Sequence, residues 1–144
     1  MDASQPDYDA AHHAAELFAH AQGVTFVNPC AGDALLAGQG TVAAEIVEEL
    51  PGARTFVVPV GGGGLAGGMA ALLRAVAPRA RIVGVQSELT NAMALSLAAG
   101  RRIDVAVPPT LADGLAGPIA DTGYAIGRFA LDLMITVSER EIAE

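Results

Sequence analysis

The sequence predicts an α/β fold of three layers, with a mostly parallel sheet and helices on both faces. Helix-like and strand-like segments alternate along the chain, with connections of a few residues, as in repeated βαβ units. Hydrophobic residues make up 52% of the chain and aromatic residues only 4%. A core of Ala, Val, Leu and Ile is typical of a parallel sheet covered by helices. With 144 residues and no visible linker, we expect residues 1–144 to form a single α/β domain.

Glycine and proline residues punctuate the chain and set the bounds of the expected elements. The first helix follows Pro6, with Asp7 as its cap, and ends at Gly23. A second helical pattern starts at Thr41, a candidate cap, and stops at Pro51. The other expected helices span residues 65–77, 91–99 and 122–132, and β-branched or strand-like runs span 24–27, 55–60, 81–86 and 134–138.

The most unusual segment is VPVGGGGLAGG at residues 58–68, where four consecutive glycines lie between a strand and a helix. Each glycine in ordered backbone costs about 0.5–1 kcal/mol relative to alanine, so the run indicates a need for bare backbone. Such a turn lies at the carboxyl end of a parallel strand, where ligands of open α/β sheets bind. We therefore predict that an anion at the helix N-terminus is held by the N–H groups of Gly62, Gly63, Gly64 and Leu65.

Two other interpretations of this loop are open from the residues alone. Small residues could serve only to let the helix and the strand pack closely. Alternatively, Gly62-x-Gly64-x-x-Gly67 fits the GxGxxG pattern of dinucleotide-binding proteins, and Glu88 lies about twenty positions further on. The loop alone does not distinguish an anion site from a dinucleotide site, so the neighbouring segments must be considered.

Charge and cysteine content exclude several classes of partner. The formal charge of −8 argues against nucleic acid or an anionic membrane surface, because both attract clustered Lys and Arg. The uncharged stretch 55–73 contains glycines and a proline, and it fits a strand, a loop and a helix better than a membrane span. Cys30 is the single cysteine and the N-terminal segment has no signal-peptide pattern, so we expect a cytoplasmic protein.

From Tyr8 onward the chain resembles the threonine dehydratase and serine racemase branch of the fold-type II pyridoxal-phosphate enzymes. The segments that carry the resemblance are, in order, AGQGTVAAEIVEELP at 37–51, FVVPVGGGGLAGGMA at 56–70, TLADGLAG at 110–117 and MITVSEREI at 134–142. The resemblance displaces the dinucleotide interpretation. It implies that the chain corresponds to part of the larger domain of a two-domain enzyme.

The resemblance also implies which residues bind the cofactor. In this family the glycine loop grips the cofactor's phosphate, a role that falls here to Gly61, Gly62, Gly63, Gly64 and Leu65. The expected ligand is therefore a small anion, pyridoxal phosphate by resemblance and otherwise phosphate or none.

Several family features have no counterpart in this sequence. Family members hold the cofactor through a Schiff-base lysine that is also the catalytic base, and all eight cationic residues here are arginines. The family's serine-bearing loop at the pyridine nitrogen and its asparagine loop at the substrate carboxylate also lack a match. We therefore assign no catalytic residue, and we expect pyridoxal phosphate to bind non-covalently at most.

Further site positions follow from the resemblance. Cys30 falls where relatives place a residue beside the pyridine ring, although a lone cysteine is more often a small buried hydrophobe. Gln39 lies near the cofactor pocket and is a second binding candidate, together with Thr41. Gln86 replaces the acidic residue that holds a divalent cation in some relatives, and Asn91 and Ala92 replace its partner, so no metal is expected.

Three hypotheses follow for the function. The first is a threonine or serine dehydratase-like protein that keeps the phosphate loop and has no activity on its own. The second is one half of a split ammonia-lyase or racemase whose lysine is on a partner chain, because an incomplete sheet leaves an apolar edge that favours association. The third is a non-catalytic scaffold that self-associates as a homo-oligomer. Other chemistry, on Cys30 or a histidine, lacks a second residue at a meaningful spacing.

Overall fold

A computed structural model describes residues 5–6, 8–28 and 32–144 of the chain. In chain order the helices and strands are α1 (Tyr8–Gln22), α2 (Asp33–Glu49), β1 (Thr55–Pro59), α3 (Gly64–Val76), β2 (Arg81–Ser87), α4 (Ala92–Ala99), α5 (Asp121–Ala130), β3 (Leu133–Val137) and α6 (Glu139–Ala143). From β1 onward the strands are separated by helices, as the sequence predicts. Two short 3₁₀ turns, Glu88–Thr90 and Asp113–Leu115, lie in the connections.

The three strands form one parallel sheet in the order β1-β2-β3. In the register of the sheet, Val57 pairs with Val83, and Val83 pairs with Leu133. Helix α3 connects β1 to β2, and α4 and α5 lie between β2 and β3. The predicted α/β class with a parallel sheet is therefore confirmed.

The core lies on the face of the sheet against which α3 packs. Phe56, Val58 and Ile82 are buried there together with Ala70 and Leu73 of the helix. In the described part of the chain, strand residues that point to the opposite face are more exposed to solvent. On that face Val57, Leu133 and Ile135 are 65%, 44% and 40% exposed.

Helices α2 and α3 cross at a pair of glycines. A Cβ atom on Gly68 would lie less than 3.0 Å from Leu36 O, from the Gln39 Cβ and from Gly40 N. A Cβ atom on Gly40 would lie 3.0 Å from Gly68 O. The two helix backbones therefore meet with no room for a side chain at the crossing, and Ala43 beside it is fully buried.

A charged pair joins the amino ends of β2 and β3. Asp132 accepts a hydrogen bond from Ile82 N at 2.8 Å and one from Arg74 Nη2 at 2.9 Å. Arg74 also donates to the carbonyls of Ala80 and Ala130. The hydrogen bond from Ile82 is the largest cause of a lowered pKa at Asp132, and Arg74 lowers this pKa further while desolvation opposes both.

The structure corrects three local expectations. Helix α2 begins at Asp33 rather than at Thr41, because Gly38 is exposed and Gly40 is needed at the crossing with α3, so neither glycine ends the helix. Thr41 is therefore not a cap, and its hydroxyl donates to Gly38 O at 2.8 Å within the helix. The β-branched run at 24–27 is irregular and does not join the sheet.

Two further expectations concern the ends of the chain. The last helix, α6, was not predicted, although Ser138 and Glu141 form a capping box at its start. The cap expected at Asp7 lies outside the described residues.

Candidate anion site at the glycine loop

The glycine loop connects the carboxyl end of β1 to the N-terminus of α3, as predicted. Val60, just before the loop, donates its N–H to Val85 O and so remains attached to β2. Gly63 is the N-cap of α3 with φ +95°, a left-handed conformation that side chains rarely adopt. The first helical hydrogen bond runs from Gly67 N to Gly63 O. The backbone therefore turns sharply at Gly63, and the amides before Gly67 lie at the helix N-terminus.

The backbone amides of residues 61–65 have no hydrogen-bond acceptor among the residues that the structure describes. Gly63 and Gly64 are themselves buried. A buried amide without a partner is costly, so such a set of donors indicates a site for an external acceptor. The first turn of α3 carries no acidic side chain, and the helix dipole adds positive potential there. The donor set fits a phosphate dianion, including that of pyridoxal phosphate.

Close packing explains the absence of side chains at some of these glycines. A Cβ atom on Gly61 would lie 3.2 Å from Leu115 O, and one on Gly63 would lie 3.4 Å from Gly123 O. A Cβ atom on Gly123 in α5 would lie 2.5 Å from Gly62 O. Close packing thus explains why these positions carry no side chain, because a Cβ atom there would meet neighbouring backbone. It leaves the N–H groups of the loop unexplained.

A pocket of about 280 Å³ adjoins the loop at Gly62. Helix α1 contributes Tyr8 and His12 to its wall, and the start of α5 contributes Thr122 and Gly123. The pocket also contains a cation that sequence analysis did not single out. The remaining lining residues are Asn28, Arg102, Pro118, Ile119 and Ala120.

The cation in this pocket, Arg102, is neutralised by its neighbours. Its guanidinium lies 2.8 Å from an Asp104 oxygen and 3.1 Å from an Asp121 oxygen, and it donates to Ile119 O. Two carboxylates therefore balance one guanidinium. The backbone amides of the loop, rather than this side chain, are the donors available to an anion.

The other predicted binding residues are not all brought to the loop. Gln39 lies on α2 against Gly68, in a surface depression lined by Val27, Ala34, Leu35 and Gly38. Cys30 lies outside the described residues. The roles of both stay predictions, whereas residues 61–65 form one continuous turn.

Gln86 has a structural partner at the end of β2. Its side chain is 3% exposed, and its Oε1 accepts a hydrogen bond from Ala94 N in the first turn of α4. Within the described ranges, no group of three His, Cys, Asp or Glu side chains converges in a way that could hold a metal ion.

Like Arg102, Glu139 was not singled out by the sequence analysis. It lies at the carboxyl edge of the sheet. Its carboxylate accepts hydrogen bonds from Ser87 Oγ, Thr110 Oγ1 and Leu111 N. The hydrogen bond from Ser87 is the first of the three that lower its pKa. The partners are distant in sequence, so no local pattern could have shown them together.

Comparison with known proteins identifies the class to which this fold and site belong. A family model described as pyridoxal-phosphate dependent enzyme matches residues 2–144. The chain therefore belongs to the pyridoxal-phosphate-dependent enzyme family, and its homologues and structural neighbours include threonine dehydratases and serine racemases.

Among curated proteins, the L-threonine ammonia-lyase of Thermotoga maritima is 39% identical over 138 residues, which are 95% of this chain and 34% of that protein. The L-threonine ammonia-lyase of Geobacter sulfurreducens is 38% identical over 139 residues, with the same coverage. The chain thus spans about a third of the length of these relatives.

Solved structures show the same relationship. Maize serine racemase superposes with a TM-score of 0.88 at 29% identity, covering 95% of this chain and 43% of that one. The processed form of threonine deaminase isoform 2 from Solanum lycopersicum gives a TM-score of 0.82 at 31% identity, covering 91% and 38%. In the described part of the chain, no helix is long and apolar enough to cross a membrane.

Proposed function

We propose that this chain supplies the phosphate-binding part of a threonine or serine ammonia-lyase-like protein. The observation that carries the proposal is the set of amides at residues 61–65, which lies at the N-terminus of α3 and has no acceptor among the described residues. The similarity of the chain to proteins named L-threonine ammonia-lyase and serine racemase also supports the proposal. A cytoplasmic location, expected from the sequence, belongs to the same proposal.

The residues of this chain act by binding and orienting the ligand. Pyridoxal phosphate, when bound, supplies an electron sink for reactions at the α-carbon of an amino acid. The amides of residues 61–65 would hold its phosphate, and the pocket beside Gly62 would receive the remainder. With no lysine among the 144 residues, no side chain here can bind the cofactor's aldehyde through an ε-amine, so binding by this chain is non-covalent.

A lysine-bearing partner chain is the second candidate arrangement. The exposed apolar residues Val57, Leu133 and Ile135 on one face of the sheet favour it, because apolar clusters of this kind support association. A homo-oligomer could cover the same residues. On this proposal the chain alone does not turn over L-threonine or L-serine, and measurable 2-oxo acid production by the purified chain would contradict it.

The test of ligand binding uses pyridoxine 5′-phosphate, which has no aldehyde, and compares it with pyridoxine. We expect the phosphate ester to bind and pyridoxine to bind at least about tenfold more weakly, because charge-assisted hydrogen bonds to the phosphate would be lost. Gly63→Ala should abolish this preference, since alanine is strained at φ +95° and would displace the loop.

Gly100→Ala is the matched control. Gly100 also has a positive φ, +68°, but it caps α4 and has open space around it. Alanine at Gly100 also meets a positive φ but does not touch the loop, so the ligand preference of this variant should equal that of the parent. Equal affinity for the two ligands, or an unchanged preference in Gly63→Ala, would refute the proposed site.

A further inference from the structure

The carboxylate of Glu139 joins separate segments at the carboxyl edge of the sheet. Its Oε1 accepts hydrogen bonds from Ser87 Oγ at 2.5 Å and from Thr110 Oγ1 at 2.6 Å. Its Oε2 accepts a hydrogen bond from Leu111 N at 2.6 Å. One carboxylate therefore fastens the end of β2 and the segment that begins at Thr110 to the start of α6.

The segment that follows Thr110 is a compact turn with its own hydrogen bonds. Ala112 N donates to Thr110 Oγ1 at 3.1 Å, and Leu115 N donates to Ala112 O at 2.9 Å. Residues Asp113–Leu115 form a 3₁₀ turn, in which Gly114 N donates to the Asp113 carboxylate. Residues 110–115 are therefore connected by hydrogen bonds from one end to the other, and we call them the 110–115 turn.

The far end of the 110–115 turn lies against the glycine loop. A Cβ atom on Gly61 would lie 3.2 Å from Leu115 O and 3.3 Å from Leu115 Cα. Two stretches of backbone thus meet with no side chain between them at Gly61. Because this contact is tight, a shift of the turn by a few tenths of an ångström would change the position of Gly61.

We propose that Glu139 is a positioning residue for the phosphate site, which holds the 110–115 turn against Gly61 and so fixes the amides of residues 61–65. This inference rests on the proposed function, because the ligand whose affinity it affects is the phosphate of that site. Glu139 lies outside the loop. Two hydrogen bonds join it to the 110–115 turn, and one backbone contact joins that turn to Gly61.

The sign of the effect separates positioning from simple electrostatics. Removal of a carboxylate makes this acidic protein less negative, which by itself favours the binding of an anion. Loss of the turn's anchor should instead weaken binding. A fall in affinity on removal of Glu139 therefore identifies its positioning role.

Three variants test the proposal with pyridoxine 5′-phosphate as the ligand. Glu139→Ala loses all three hydrogen bonds, and we expect its affinity to fall about tenfold, as for other residues that orient a binding group from behind. Glu139→Gln can still accept from Leu111 N and donate to the hydroxyl oxygens, so it should restore affinity to within about twofold. Glu144→Ala removes the same charge from an exposed position on the same segment and should leave affinity unchanged.

A readout in the ligand-free protein keeps the test independent of ligand binding. In Glu139→Ala we expect the amides of Leu111 and Leu115 to exchange faster with solvent, and the amide resonances of Gly61 and Gly62 to shift. Glu144→Ala should show neither change. If Glu139→Ala does not fold, Thr110→Val, which removes one of the three hydrogen bonds to Glu139 together with the one from Ala112 N, should show the same changes.

The two proposals fail in different ways. If the parent protein does not bind pyridoxine 5′-phosphate, the proposed function is wrong, while shifted Gly61 and Gly62 resonances would still support the positioning role. If the parent binds the ligand, and Glu139→Ala binds it equally well with unshifted loop resonances, the positioning role of Glu139 is wrong.

Discussion

The crossing of α2 and α3 gives the sharpest prediction about stability. Gly68→Ala places a Cβ atom less than 3.0 Å from Leu36 O, the Gln39 Cβ and Gly40 N, and two of these three atoms belong to the backbone of α2. A flexible side chain could turn away from the new methyl group, but a helix backbone cannot. The helices must therefore move apart along a crossing where Ala43 and the adjacent core are fully buried.

The expected magnitude combines two opposing terms. Replacing glycine by alanine inside a helix stabilises by about 0.5–1 kcal/mol. Overpacking of a tight core contact costs about 1–3 kcal/mol, and the upper part of this range applies because backbone atoms are struck. Gly68→Ala should therefore lower the free energy of unfolding by about 2 kcal/mol, which is roughly a 30-fold change in the folding equilibrium.

Gly38→Ala is the matched control on α2. Gly38 lies inside the helix, and a Cβ atom there would meet nothing within 4 Å. Only the helix-propensity term remains, so this variant should stabilise the protein by about 0.5–1 kcal/mol. Its backbone carbonyl still accepts the hydrogen bond from the Thr41 hydroxyl.

Urea unfolding followed by circular dichroism measures both variants, with equal m-values as the condition for comparing midpoints. We expect the urea midpoints of the two variants to shift in opposite directions. If Gly68→Ala is as stable as the parent or more stable, the backbone contact between α2 and α3 is wrong.

Two further predictions concern Asp132 and Tyr124. Asp132→Asn should lower the free energy of unfolding by about 1 kcal/mol at neutral pH, because Ile82 N and Arg74 donate to different carboxylate oxygens and asparagine keeps only one of the two. The lowered pKa of Asp132 predicts that its contribution is fully present above the ordinary value of 3.8 and is lost as the pH falls through the lower folded value. Stability measured from pH 5 downward should therefore fall less in the Asp132→Asn variant than in the parent, and an identical acid response would contradict this. Tyr124→Phe should leave the free energy of unfolding unchanged or raise it by up to about 1 kcal/mol, since the buried hydroxyl has no hydrogen-bond partner in the described part of the chain. A fall in the free energy of unfolding would show that the hydroxyl has a partner.

Local sequence signals predicted the elements around the site well. Glycine and proline residues bound β1, α3 and β2, so these elements begin and end within a few residues of the expected positions. The same signals misled at α2, where Gly38 and Gly40 lie within the helix for different reasons. Gly38 is simply exposed, whereas Gly40 is required by a neighbour 28 residues away in sequence, Gly68.

The surroundings of the site depend on contacts that no local pattern reveals. Glu139 meets Ser87 and Thr110 across 52 and 29 residues of sequence, and Leu115 reaches Gly61 only because the 110–115 turn folds back over the loop. The turn between β1 and α3 at the glycine run was predicted from local sequence. The close packing around these glycines was not, because it depends on the positions of α5 and the 110–115 turn.

The most direct measurement is a titration of the ¹⁵N-labelled protein with pyridoxine 5′-phosphate, followed by amide resonances. We expect saturable downfield shifts of the amide protons of residues 61–65, because these donors, which have no acceptor among the described residues, form hydrogen bonds to the phosphate. Amides remote from both the loop and the adjoining pocket, including Gly38 and Gly100, should stay in place. Saturable shifts confined to other residues, or no shift at any of the five loop amides, would show that residues 61–65 do not bind the phosphate.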